Sequence, residues 1–168
     1  MKPTEKQQHD FTVLIQAHER LIHKVCGLYI INDKESYKDL YQEIILQAWT
    51  AWPRFANEAK ASTWLYRIAL NTAISYKRNT KKKLDMRPFD ELQMQVADIQ
   101  QQDQQAYQTL WRLIQQLPEL EKALILLYLE DNSYEEIASI MGLSVSNVGT
   151  RLGRIREKLK HQAQTQEN

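Results

Sequence analysis

Five polar or basic side chains near the C-terminus recur at spacings that place them on one side of a helix. They are Asn147, Thr150, Arg151, Arg154 and Lys158. Arginine, asparagine and threonine are side chains that hydrogen-bond to base edges in the major groove of DNA, and lysine pairs with phosphate. The pattern therefore predicts a helix that binds duplex DNA. An ordinary helical hairpin whose basic face is only solvated is the alternative that the pattern leaves open.

The elements that would position this face form a helix-turn-helix. Ser133 and Glu136 have the spacing of a capping box, which starts a helix. Gly142 supplies a turn, and Ser144 caps a second helix whose buried stripe repeats every three or four residues. The stripe consists of Val145, Val148, Leu152, Ile155 and Leu159. A helix, a short turn and a second helix in this order are typical of DNA-binding domains.

Two glycines lie inside this second helix, where glycine is unfavourable. Gly149 and Gly153 each cost about 1 kcal/mol relative to alanine. We expect them where a phosphate backbone or a neighbouring helix comes close, because a larger residue would block that approach.

Other residues that could do chemistry are poorly spaced for it. His18 and His23 are five residues apart, so on a helix they point about 140° apart and cannot share a metal ion as in a zinc-protease helix. The single cysteine, Cys26, excludes an internal disulfide and a multi-cysteine zinc site, and we interpret it as a small buried hydrophobe. No glycine-rich phosphate loop is present. We expect no enzyme activity, no cofactor and no metal.

Helical periodicity also dominates the N-terminal half. Apolar residues recur every three or four positions over residues 11–29, which predicts one long helix that is interrupted at 32–33. Ser36, with Asp39 three residues later, resembles the start of a second helix. Pro53 should end that helix within about a residue.

A third N-terminal helix follows a short loop over residues 54–62. We expect Thr63 to cap it and Arg78 to lie near its end. Its polar side consists of Arg67, Asn71, Ser75 and Arg78. The residues that follow have no sustained apolar stripe, and so polar a segment cannot bury enough surface to fold by itself.

These patterns predict an all-α protein of two small helical domains joined by a flexible linker. The expected bounds are 8–80 for the first domain, 81–104 for the linker and 105–162 for the second domain. The second domain is expected to have four helices and to contain the helix-turn-helix. The longest apolar run, over residues 123–129, is far too short to cross a bilayer, and residues 1–10 lack the pattern of a secretory signal. We therefore expect a cytoplasmic protein.

The net charge of +1 conceals two basic segments. Residues 67–87 carry seven basic side chains against one acidic, and residues 151–160 carry five against one. Two basic patches on an otherwise acidic chain indicate two separate contacts with a polyanion.

Three segments resemble parts of one protein family. Residues 117–159, LPELEKALILLYLEDNSYEEIASIMGLSVSNVGTRLGRIREKL, resemble the C-terminal promoter-reading domain of bacterial sigma factors of the extracytoplasmic-function (ECF) subfamily. Residues 39–49, DLYQEIILQAW, are similar to the helix of that family that binds RNA polymerase. Residues 62–78, STWLYRIALNTAISYKR, are similar to its helix that faces the minus-ten promoter element.

The resemblance implies a role for individual residues. Docking on core RNA polymerase would fall to Asp39, Leu40, Gln42, Glu43 and Gln47. The minus-ten element would be bound by Asn57, Ser62, Trp64, Arg67, Asn71 and Arg78, with residues 57–62 as the loop that holds an extruded base. The minus-thirty-five element would be bound by Ser144, Asn147, Thr150, Arg151, Arg154 and Lys158.

The resemblance also implies the partners and the function. It predicts a transcription initiation factor whose partners are core RNA polymerase, promoter DNA and an anti-sigma factor, without direct insertion into a membrane. Asn147, Gly149, Ser75 and Leu70 depart from the commoner residues of the family. Two alternatives stay open: a helix-turn-helix regulator that binds duplex DNA without the polymerase, and a helical interaction protein that never contacts DNA.

Overall fold

A computed structural model describes residues 2–55, 57, 59–80 and 101–166. The chain divides into two compact units, Met1–Glu91 and Leu92–Asn168. Every regular element within the described ranges is helical, so the predicted all-α class with two small helical domains is confirmed. The predicted linker, residues 81–104, lies outside the described residues except at its last four positions.

The described residues of the first unit form four α-helices, and those of the second form four more. In the first they are α1 (Glu5–Ala17), α2 (Glu19–Tyr29), α3 (Lys34–Ala51) and α4 (Ala61–Thr80), with a 3-10 turn at Trp52–Arg54. In the second they are α5 (Gln101–Gln115), α6 (Glu119–Leu129), α7 (Tyr134–Met141) and α8 (Val145–Gln166). No helix among the described residues has both the length and the apolar character that crossing a membrane requires.

The prediction of a single long first helix, which is based on apolar periodicity, is wrong. The chain breaks at His18, whose backbone leaves the helical region at φ −118° and ψ 19°. His18 closes α1, because its amide donates to the carbonyls of Leu14 and Ile15. Its ring Nδ1 also lies 2.9 Å from the Leu14 carbonyl oxygen. The apolar spacing continues through the break, so the pattern alone does not reveal it.

The start of α3 also differs from the prediction, whereas its end agrees. Asp33 caps the helix, since its carboxylate accepts from the backbone amide of Ser36 at 3.1 Å. The Ser36 hydroxyl donates to the same carboxylate at 2.6 Å, so serine is the partner of the cap rather than the cap. The α-helix ends at Ala51, two residues before Pro53, as expected from the missing amide of proline.

Helix α4 begins at Ala61, earlier than Thr63. The Trp64 amide donates to the Lys60 carbonyl at 3.1 Å, which places the first turn of the helix over residues 61–64. Thr63 therefore lies inside the helix, where its side chain is buried, so its predicted role as the cap is wrong. At the other end α4 reaches Thr80, two residues beyond the predicted end.

The core of the first unit lies where α2, α3 and α4 pack against one another. The side chains of Ile22, Leu28, Leu40, Ile44 and Leu65 are completely buried there. Burying such aliphatic side chains contributes roughly 1.5–3 kcal/mol each. This three-helix core holds α3 and α4 side by side, and their outer faces carry the residues predicted to contact the polymerase and DNA.

The second unit has the helix-turn-helix that the sequence predicts. Ser133 and Glu136 form the capping box reciprocally, with both hydrogen bonds at 3.1 Å. Gly142 ends α7 in the left-handed region at φ +67°. The Ser144 hydroxyl then caps α8 by accepting from the Asn147 amide at 3.1 Å. The core beneath is built from Ile114, Leu124, Leu127, Ile137 and Leu152, which are all completely buried.

Glycine-to-alanine substitutions at two positions of this motif should change stability in opposite directions. Gly142→Ala should destabilise the protein by about 1–2 kcal/mol, because a side chain is strained at a positive φ. Gly153→Ala should stabilise it by about 0.5–1 kcal/mol, because Gly153 lies inside α8 with no described atom within 4 Å of an added Cβ. Urea denaturation followed by circular dichroism measures both. A loss of stability in both variants would contradict the assigned backbone states.

Candidate functional site

The candidate DNA-reading face lies on the first half of α8. Thr150 and Arg154 are exposed, whereas Asn147 and Arg151 are half-buried at the edge of the same face. At 3.6 residues per turn these four positions fall within an arc of about 100°. The opposite side of the helix is buried through Val148, Leu152, Ile155 and Leu159. The face is thus held rigidly by core packing while its polar ends remain open to solvent.

Asn147 and Arg151 are bonded to each other one helical turn apart. The Asn147 Oδ1 accepts a hydrogen bond from the Arg151 Nε at 2.9 Å. Ser144 is exposed, and its hydroxyl accepts from the Asn147 amide, so Ser144 stabilises the start of the helix whatever else it contacts.

Lys158 and the two helix-internal glycines are placed differently from a plain outward face. The Lys158 Nζ lies 3.5 Å from a carboxylate oxygen of Glu121 on α6, so its charge is partly matched within the protein. A Cβ at Gly149 would lie 3.5 Å from the Tyr134 ring of α7, an ordinary contact. The expected close approach of a neighbouring helix is therefore mild at Gly149 and absent among the described residues at Gly153.

An arginine that the sequence did not single out fixes α8 against α6. Arg156 donates to the Tyr128 hydroxyl at 3.2 Å, and its guanidinium carbon lies 5.3 Å from the centre of that ring. The sequence shows both residues, but they are 28 positions apart, so no local pattern indicates that they are in contact.

The second candidate surface is an open groove between α3 and α4 with a volume of about 700 Å³. Four of the five residues predicted to dock on the polymerase line it, namely Asp39, Gln42, Glu43 and Gln47. Asp39, Gln42 and Gln47 are exposed, and Glu43 is half-buried and accepts from the Gln47 amide at 2.8 Å. Leu46 lies among them with 53% of its surface exposed, so the groove has a polar rim and an apolar contact.

Leu40 does not belong to this surface. Its side chain has 0% exposure and packs in the core, so the prediction that it docks on the polymerase is wrong. Leu46 is an exposed apolar residue that lines the groove and that the prediction did not include. It follows Gln42 by four positions and Glu43 by three, and this spacing places it on the same helical face.

The residues predicted to contact the minus-ten element lie on α4 and in the loop that precedes it. Arg67 and Arg78 are exposed on α4, eleven residues apart and therefore close to one helical face. Asn71 is also exposed, but it lines the groove together with Asp39 and Glu43. Ser62 is half-buried in the first turn of α4, so the prediction that it belongs to the preceding loop is wrong.

An aromatic cluster joins the two ends of that loop. The rings of Phe55 and Trp64 have centroids 4.7 Å apart, and Trp52 lies 5.6 Å from the Phe55 ring. Phe11 of α1 contacts Trp49 and Trp52 at centroid distances of 4.9 and 5.6 Å. Between the joined ends, Asn57 is exposed in the left-handed region at φ 55°. Trp64 is half-buried, so it packs on the cluster and still presents part of its surface.

The groups considered for catalysis have structural contacts of their own. Cys26 is completely buried, as interpreted from the sequence, and burial raises the pKa of its thiol to about 12. His23 Nδ1 lies 2.7 Å from the Tyr37 hydroxyl, whose pKa is raised to about 12 mainly by burial. Among the described residues no three His, Cys, Asp or Glu side chains are grouped so that they could hold a metal ion.

Comparison with known proteins matches each half of the chain to a family model. The family model described as Sigma-70 region 2 matches residues 14–83, and the model described as Sigma-70, region 4 matches residues 107–159. The RNA polymerase sigma-H factor of Pseudomonas aeruginosa is 32% identical over 168 residues, which cover 89% of this chain and 83% of the relative. The ECF RNA polymerase sigma-E factor of Escherichia coli K12 is 28% identical over 170 residues, covering 94% and 88%.

Two solved structures share the fold. CnrH in complex with the cytosolic domain of CnrY has a TM-score of 0.67 at 22% identity, covering 94% of this chain and 90% of that one. The sigma factor RpoE in complex with the anti-sigma factor NepR from Bartonella quintana has a TM-score of 0.68 at 17% identity, covering 94% and 96%. With both sigma-70 regions present in order, the chain belongs to the RNA polymerase sigma factors of the ECF subfamily, which direct promoter-specific transcription initiation.

Proposed function

We propose that this sigma factor divides its work among three surfaces: the α3–α4 groove docks on core RNA polymerase, the Asn57 loop with α4 binds the minus-ten element, and α8 binds the minus-thirty-five element. The observation that carries the proposal is the groove itself. Four polar side chains at the positions that resemble the polymerase-binding helix converge on it.

The chemistry of the groove suits a protein partner. Asp39 and Glu43 supply negative charge, Gln42 and Gln47 supply amides, and Leu46 supplies an exposed apolar contact. Interfaces between proteins combine an apolar centre with a polar rim in this way. The partner that fits is a basic and apolar surface on the polymerase.

The minus-ten surface suits single-stranded DNA. Exposed cations on Arg67 and Arg78 can follow a phosphate backbone, and the half-buried ring of Trp64 offers a face on which a base can stack. Bases must leave the duplex before they can be bound in this way, so this surface acts when the promoter opens. Asn57 is the exposed amide of the loop beside it.

The minus-thirty-five surface suits duplex DNA. Thr150 and Arg154 project from a helix that is fixed by its buried stripe, as a recognition helix in the major groove requires. Arg156 is bonded to Tyr128 and Lys158 is close to Glu121, so we assign these two cations to supporting roles.

The remaining features of the proposal concern organisation and partners. Residues 8–80 and 105–162 form the two functional domains, and residues 81–104 connect them. The protein acts as a regulatory subunit in the cytoplasm and the polymerase performs the chemistry, so no residue of this chain is catalytic. An anti-sigma factor holds it inactive, as the NepR complex of the related fold suggests.

Transcription by reconstituted holoenzyme tests the proposal against an independent regulator. With core polymerase, the protein should produce run-off transcripts from defined start sites. Alone, it should bind the same duplex in a gel shift at least about 100-fold more weakly than the holoenzyme does, because two small contacts on a connecting segment gain strength only when the polymerase fixes their spacing. Tight sequence-specific binding by the free protein would favour a regulator that works without the polymerase.

A further inference from the structure

The bond between Asn147 and Arg151 limits what each of them can recognise. Both side chains are half-buried at the edge of the α8 face, and the Arg151 Nε donates to the Asn147 Oδ1 at 2.9 Å. The backbone of Asn147 is itself fixed, because its backbone N–H donates to the Ser144 hydroxyl at 3.1 Å at the start of the helix. The pair therefore forms one unit that is anchored at the end of the helix.

The bond leaves Arg151 one way to recognise a guanine. A guanidinium can place two donors on guanine O6 and N7 either through its Nε edge or through its two terminal nitrogens. The Nε edge already has a partner in Asn147. Only the end-on geometry, with the two terminal nitrogens, keeps that partner in place.

The same bond restricts the direct role that Asn147 would otherwise have. An asparagine recognises adenine by accepting through its carbonyl oxygen and donating through its amide nitrogen at the same time. In this structure the carbonyl oxygen already accepts from Arg151, so only its second lone pair is open to adenine and the orientation of the side-chain amide is set by Arg151.

We propose that Asn147 is a positioning residue, which holds the Arg151 guanidinium ready for end-on recognition of one guanine in the upstream promoter element. This inference rests on the proposed function of α8. Ordering a long flexible side chain before DNA arrives lowers the entropy lost on binding, and the benefit falls on the base pair that Arg151 contacts.

The test is base-pair discrimination by the reconstituted holoenzyme on promoters that carry all four base pairs at each upstream position. Arg151→Ala should lose about 5- to 150-fold of the preference at one G·C pair. Asn147→Ala should lose about 2- to 10-fold at that same pair, since only the preorganisation is removed. The Asn147→Ala/Arg151→Ala double variant should be no worse there than Arg151→Ala.

Two further variants separate positioning from a direct or structural role. Asn147→Asp keeps an acceptor for the guanidinium, so it should retain the preference at that pair within about twofold, although its charge weakens binding to all promoters alike. Arg154→Ala should act at a different base pair. Thermal unfolding of each variant should be unchanged, because the backbone bond to Ser144 does not need the Asn147 side chain. This result would exclude a folding defect.

Three results would overturn the inference. A change of preference at a base pair other than that of Arg151 would make Asn147 a direct contact. Additive losses in the double variant would mean that the two residues act independently. If Arg151→Ala altered no preference, the inference would fail, and if Arg154→Ala also altered none, the proposed DNA-reading role of α8 would fail with it.

Discussion

Charge reversal in the α3–α4 groove should abolish binding to core RNA polymerase. We expect the Asp39→Lys/Glu43→Lys variant to bind core enzyme at least about 30-fold more weakly, which corresponds to a loss of about 2 kcal/mol or more for charged groups at an interface. Asp39 is exposed and should tolerate the change, whereas Glu43 is half-buried and bonded to Gln47. Fluorescence anisotropy of the labelled protein with core polymerase measures the affinity.

The matched control for Asp39→Lys alone is Asp10→Lys, which makes the same charge change at an exposed position on α1 that does not line the groove. It should bind core polymerase normally. The Asp39→Lys variant alone should lose a large part of the affinity for core polymerase. A defect that appeared only with Glu43→Lys would instead point to the broken bond between Glu43 and Gln47. Normal binding by the double variant, with an unchanged circular dichroism spectrum, would exclude the groove as the docking surface.

The second large effect separates recruitment to the promoter from strand opening. Arg154→Ala should weaken the closed complex by about 1–3 kcal/mol and leave the rate of opening almost unchanged, because we propose that Arg154 acts on duplex DNA. Asn57→Gly should do the reverse, since the exposed Asn57 belongs to the surface that we propose for unstacked bases. Glycine suits this position because it keeps the left-handed backbone at φ 55° while it removes the amide.

A gel shift of the holoenzyme measures the first step, and permanganate reactivity of opened thymines measures the second. Asn71→Ala is a poor substitute for Asn57→Gly, because Asn71 lines the groove with Asp39 and Glu43 and its loss mixes docking with opening. If the Arg154 and Asn57 variants were impaired in the same step to the same extent, the assignment of separate DNA surfaces would be wrong.

The elements that the sequence predicts well are those in which local chemistry and periodicity agree. The capping box at Ser133 and Glu136, the turn at Gly142 and the cap at Ser144 each depend on residues within three or four positions, and all three are confirmed. The helix that follows also has an apolar stripe whose members are buried, apart from Val145 at its start.

The predictions that are wrong concern places where the decisive contact is not local or where two residues compete for one role. Apolar spacing is the same on both sides of His18, so it cannot report a break in the backbone. Asp33 and Ser36 are both good caps, and the structure uses the first because the serine hydroxyl donates to it. Leu40 and Leu46 are both leucines of α3, and only the packing of α2 and α4 decides that the first is buried and the second exposed.

The contact between the Phe55 and Trp64 rings should allow the residues between them to be exchanged for others while the helices keep their positions. The centroids of the two rings lie 4.7 Å apart, so their packing helps to hold the ends of this segment together. Even doubling the length of a flexible loop adds only about 0.6 kcal/mol to the entropy of closing it. If this segment binds the opened element as we propose, changes in its length and sequence should alter promoter preference there at little cost to the helices.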